Sequence, residues 1–218
     1  MTDTAQLIEV SEVALVVLVA AALLRWHLWR AVIFLAPSSV RIEADSPPGM
    51  ASIPSALEAT HDAFVALGFE HLGTHFEHPR FGRRVLHFDY VHREKQVFAA
   101  VHAGLEGQAL FTLLTPTHGG GSALTASFRR PCRDLKGRYV SGGLEGAAPE
   151  RLLKAHLRRV PEAGTPEADW SLEGRVAAAR AWYAGTGKGE VRQQNAVGLL
   201  WTLGALGMVG AAFFGRSG

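Results

Sequence analysis

The run AVGLLWTLGALGMVGAAFFG, residues 196–215, carries no charge over twenty consecutive positions. Wound as an α-helix at 1.5 Å per residue it is about 30 Å long, the thickness of a bilayer's hydrocarbon core. A helix on a soluble core rarely stays uncharged that long, because one of its faces meets water. Trp201 near one end and Arg216 just past the other are residue types that settle at headgroup level. A spanning helix is therefore expected within 195–218.

A second apolar stretch, VALVVLVAAALL, covers 13–24. Twelve residues are short for a span, but the stretch extends outward through Glu12 and Val10 and inward through Trp26, Leu28 and Trp29. Arg25 and Arg30 then fall at the membrane surface, where a long basic side chain can snorkel. A cleaved signal peptide fits poorly, since Asp3, Glu9 and Glu12 precede the apolar run and no Lys or Arg does. An interfacial helix is a rival reading, because RWHLWRAVIFL is amphipathic and rich in tryptophan. The pattern predicts a first span continuing as helix to Ala36, ahead of Pro37.

Charge then sets topology. Arg25, Arg30 and Arg41 follow the first span, and Arg180, Lys188 and Arg192 precede the second. Both groups place the intervening chain on the cytoplasmic side. Lys188 and Arg192, like Arg25 and Arg30, are expected against lipid headgroups. Gly204, Gly207, Ala211 and Gly215 form a small-residue face on the second span. Such a face allows close helix packing, with the alanine-rich side of the first span (Ala14, Ala20, Ala21, Ala22) or a second copy as partner.

The middle of the chain reads as one folded domain. Hydrophobic residues make up 48% of the sequence and charged residues 19%, which excludes general disorder. Pro47, Pro48 and Pro54 punctuate its start. SALEATHDAFVALGF has helical spacing and ends at Gly68, a C-cap residue type. Six β segments follow, near 70–77, 84–92, 96–103, 109–115, 123–129 and 138–141, joined by short turns such as HREK and PTHGGGS. APERLLKAHLRRV should return as a helix stopped by Pro161, and another helix should start at Thr165-Pro166-Glu167. The expected fold is α+β: an antiparallel sheet of five or six strands with packed helices, flanked by transmembrane helices. The divisions are a first span with a cytoplasmic extension (1–36), the cytoplasmic α+β domain (37–164), a helix and hinge (165–194), and the second span (195–218).

Chemistry is harder to read. Ten histidines are many, and six fall between His71 and His102. Imidazoles on neighbouring strands can converge on a metal, and His71, His75, His87 and His102 are the candidate ligands. His87 and Asp89 share a strand face, as a ligand and its supporting carboxylate would. The spacing matches no defined motif, and half-exposed histidines at strand ends are ordinary. GTGKGE lacks the glycine and the Ser or Thr of a phosphate loop and reads as a hinge before the second span. THGGGS reads as a hairpin turn rather than an anion nest.

The single Cys132 excludes an internal disulfide and any Cys-rich metal site. Two basic clusters, Arg80–Lys95 and Arg129–Arg138, can face anionic lipid. A net charge of +2 without a platform of interleaved aromatics argues against nucleic acid. No catalytic constellation stands out and no cofactor is implied. The reading favours a membrane-anchored accessory or scaffolding protein that contacts the bilayer and binds a protein partner or another copy of itself. Rival readings are a lipid- or small-ligand-binding module at the membrane surface, and a metal-dependent enzyme built on the histidine cluster.

Overall fold

The computed structural model describes residues 2–45 and 52–214. Pro47, Pro48, Gly215 and Arg216 lie outside the described residues. Helix α1 (Thr2–Leu35) ends just before Pro37, and helix α5 spans Lys188–Phe214. The two run antiparallel: His27 stacks on Trp201 at 5.9 Å, Arg30 donates to the Gln194 carbonyl at 2.8 Å, and Arg192 donates to the Phe34 carbonyl at 3.2 Å. Both helices are long and apolar enough to cross a membrane, and only 6% and 17% of their most apolar windows are buried. Leu15, Leu18 and Trp26 on α1 and Val197, Leu200, Leu203 and Leu206 on α5 are all exposed. A soluble protein's core helix would bury these side chains.

The seam between the two helices differs from the expected one. It runs through Ala20 and Ala205, both fully buried, through Thr202, and through Gly198, whose missing side chain admits the Arg30 stem. Among the described residues, nothing beyond their own helix backbone comes within 4 Å of where a Cβ would sit at Gly204 or Gly207. Ala211, Ala14, Ala21 and Ala22 are exposed as well. The helix register turns the glycine face away from α1, and of the alanines only Ala20 enters the seam.

Between the helices lie β1 (Arg41–Ala44), α2 (Ser55–Ala66), β2 (Glu70–His78), β3 (Val85–His92), β4 (Val97–Ala103), β5 (Ala109–Thr117), β6 (Gly121–Ala126), β7 (Arg133–Leu135), β8 (Tyr139–Gly143), α3 (Pro149–Ala163) and α4 (Leu172–Ala184). The strands form one sheet in the order β1-β2-β3-β4-β5-β6-β8-β7. It is therefore an eight-stranded mixed sheet, not an antiparallel one of five or six. All pairings are antiparallel except β6 with β8. The two strands absent from the sequence reading, β1 and β7, have four and three residues, too few to display alternation.

Both faces of the sheet are covered. On one, Leu57 and Phe64 of α2 and Leu152 and Leu153 of α3 pack on Phe88, Tyr90, Val101, Phe111 and Leu113. On the other, Val176, Ala179 and Trp182 of α4 join Ile33 of α1 and Val191 of α5 over Ile42, Leu114, Leu124 and Tyr139. The apolar helices thus enter the domain and become part of its second layer.

Two helix boundaries depart from expectation. Pro161 lies inside α3, which continues to Ala163; so near the C-terminus a proline removes only one ladder bond. Helix α4 begins at Leu172, with the Ser171 hydroxyl accepting from the Gly174 amide at 3.1 Å. The Thr165-Pro166-Glu167 segment is not helical, because its backbone is tied to the end of β5: His118 donates to the Thr165 carbonyl and Glu167 to that of Pro116. Gly68 ends α2 as expected, at φ +89°.

Candidate functional site

Strand pairing assembles the site. His75 on β2 lies directly across from His87 on β3, and their rings stack 4.7 Å apart. His102 on β4 stands beside them, its ring 4.6 Å from that of His87. Glu77 is two residues beyond His75 and so on the same face. Asp89, fully buried, is two residues beyond His87 and accepts from His75 Nδ1 at 2.5 Å. The expected pairing of Asp89 with His87 is thus replaced by a cross-strand pairing with His75.

His71 does not join this group. Strict alternation would put it with His75, but the register slips between His71 and Gly73, leaving Leu72 without a partner. A bulge of one residue reverses the facing of everything before it. His71 therefore points to the other layer, with its ring 5.1 Å from Tyr90 and 6.1 Å from His61.

Helix α4 completes the cluster. Arg175, buried, places Nε 3.2 Å from Asp89 Oδ1. Tyr183 donates to Glu77 Oε2 at 2.8 Å. Around Glu77, His75 Nε2 lies 3.7 Å from Oε1 and His87 Nε2 lies 3.9 Å from Oε2. Among the described residues, His75 Nε2, His87 Nδ1, His102 Nδ1 and Arg175 Nη1 are buried without a hydrogen-bond partner, a condition that buried polar atoms usually avoid.

Electrostatics follow from this crowding. Burial holds His87 well below the ordinary imidazole range and also lowers His102. Burial alone would lower His75 too, but the Asp89 carboxylate outweighs it and raises the imidazole. Burial would raise Glu77, yet the imidazoles of His87 and His75 and the Tyr183 hydroxyl hold its carboxyl below the usual range.

This cluster forms one wall of a chamber of about 460 Å³. Glu77, His87, His102 and Arg175 supply the polar wall, while Trp29, Ile33, Leu114, Leu124, Trp182 and Val191 supply apolar surface. Trp29, Arg30 and Ile33 come from α1, and Val191, Gln194 and Asn195 from α5, so the chamber sits at the root of the helix pair.

A second buried network fastens α5 beside it. Glu190, fully buried, accepts from Tyr139 Oη at 2.5 Å, from Ser141 Oγ at 2.8 Å, and from Arg130 Nε. Arg130 also lies over the Trp182 ring, 4.8 Å from its centroid. Basic residues expected at the lipid surface therefore divide. Arg130 and Arg133 are spent on α5, Arg133 reaching the Gly189 carbonyl at 3.0 Å, and Arg30 is held in the helix seam. Arg25, Lys188 and Arg192 are exposed.

Sequence reasoning singled out His75, His87 and His102 but missed Glu77, Arg175 and Tyr183. The last two lie about a hundred residues downstream, and no local spacing announces them. No family model, curated protein or solved structure matches the chain.

Proposed function

We propose that α1 and α5 anchor the protein in a bilayer and that its α+β domain binds an amphiphilic small molecule at the membrane surface. One observation carries this reading: the chamber at the helix root is walled by residues of the two apolar helices on one side and by the His–Glu–Arg cluster on the other. An apolar body can lie along Trp29, Ile33 and Val191 while a polar head meets His87, His102 and Arg175. The volume of about 460 Å³ falls within the usual range for small-molecule sites. The exposed leucines, valines and tryptophans of both helices form an apolar surface far larger than a soluble monomer presents. The basic residues flanking the helices favour a cytoplasmic side for the domain.

The test is organic extraction of detergent-purified full-length protein followed by mass spectrometry. One amphiphile enriched over bulk lipid is expected. It should be lost in Ala179→Phe, which fills the chamber, without loss of circular dichroism. Equal amounts of bulk lipid in both proteins would count against the reading.

Self-association, as expected of a scaffold, is a second reading, favoured by the open face of Gly204, Gly207 and Ala211. Cross-linking in membranes should trap a dimer that Gly207→Leu abolishes; a monomer in both would remove this reading.

A further inference from the structure

We propose that His75, Glu77 and His87 bind a single divalent transition-metal ion of the zinc class. Each residue offers one ligand atom, and the three atoms lie within 4.8 Å of one another. Ligands around a tetrahedral zinc at about 2.0–2.1 Å are about 3.3 Å apart. The 3.7 Å and 3.9 Å separations around Glu77 therefore need to close by about half an ångström, and the widest of the three, up to 4.8 Å, by about 1.5 Å.

The support around the ligands fits the same purpose. Asp89 accepts from His75 Nδ1 and so fixes the ring with Nε2 turned toward Glu77. Carboxylates commonly orient metal-bound histidines in this way. His75 is fully buried, yet Nε2 has no hydrogen-bond partner. His87, also buried, turns Nε2 toward the same carboxylate. An ion-pair network alone would leave His75 Nε2 without a hydrogen bond.

Charge points the same way. Glu77 and Asp89 set two carboxylates against the one guanidinium of Arg175, and a metal ion would take the place of the proton that Asp89 favours on His75. Imidazole and carboxylate donors without thiolate suit zinc, iron(II), manganese or cobalt rather than copper(I). His102, on the strand beyond His87, lies outside the set of three. This site stands independently of the amphiphile reading, although the two share a wall.

The test is zinc titration of chelator-stripped, delipidated full-length protein in detergent, read by calorimetry and by thermal shift. One zinc per chain is expected, with a raised melting temperature. His87→Gln and Glu77→Gln should each weaken binding at least about tenfold and abolish the shift. His71→Gln, on the opposite face, should leave both unchanged. Two variants guard against one failing to fold, and the His71 control reports non-specific histidine binding. Absence of stoichiometric binding, or binding that survives both variants, would overturn the site. Amphiphile content is read by extraction, so either proposal can fail alone.

Discussion

Glu190 and Tyr139 meet at 2.5 Å in the interior of the domain, and the contact fastens a membrane-type helix to the sheet. The carboxylate belongs to the first turn of α5 and the phenol to β8. Burial, with Glu190 beside it, pushes the Tyr139 hydroxyl above its ordinary range, so it stays a donor. Arg130 supplies the opposing charge. Removing one partner of a buried ion pair typically costs about 3–5 kcal/mol, because the other charge is stranded. Arg130→Met should lower stability by that order in denaturant melts of the detergent-solubilised protein. The double variant Arg130→Met/Glu190→Gln should recover part of the loss, and purely additive effects would mean the pair is not coupled.

The helix seam gives a second contrast. A side chain at position 198 would collide with the stem of Arg30, whereas one at 207 meets open space. Gly198→Val is expected to destabilise the helix pair by about 1–3 kcal/mol through overpacking. Gly207→Ala is expected to be neutral or mildly stabilising. Protease susceptibility in detergent reads both, and equal effects at the two positions would refute the assigned seam.

The third expectation concerns acid. His156, on α3, is fully buried between Thr115 and Thr125 hydroxyls, each at 3.0 Å. Thr115 gives its hydrogen to the Gln96 carbonyl, so His156 Nε2 must donate and Nδ1 must accept. Burial, with Arg159 nearby, lowers its pKa from 6.5 to about 3. Between those values the unfolded chain binds a proton that the folded one refuses, so stability falls as pH drops below 6.5. The slope from one such group approaches about 1.4 kcal/mol per pH unit. His87 and His102, lowered by burial too, act with the same sign. His156→Gln should therefore flatten, without abolishing, the fall in melting temperature between pH 6.5 and 4.5. An unchanged slope would show that His156 is not the neutral buried group described.

Topology has a direct reporter in Cys132, which is free and exposed. A membrane-impermeant maleimide should label it only after the cells are permeabilised. Labelling in intact cells would reverse the orientation.

Much of the architecture was legible because periodicity carries it. Leu86, Phe88 and Tyr90 on β3, or Leu152, Leu153 and Val160 on α3, announce an inward face by spacing alone. The order β6-β8-β7 was not legible, because β7 is a three-residue edge strand and nothing local tells a parallel neighbour from an antiparallel one. At the site, three of the four candidate histidines converge. The fourth, His71, was lost to the bulge at Leu72, since the sequence reads as continuous alternation through it. Arg175 and Tyr183 were invisible for another reason. Helix α4 looks like an ordinary alanine-rich helix, and only its packing over β1 and β2 brings those two side chains to Asp89 and Glu77.

The proposed crossing of lipid by α1 and α5 is tested most directly by flotation of alkaline-carbonate-washed membranes containing the full-length chain. The protein is predicted to rise with the lipid fraction and to leave it only on addition of detergent. Recovery in the aqueous fraction after the carbonate wash would contradict membrane anchoring and remove the bilayer on which the proposed amphiphile site depends.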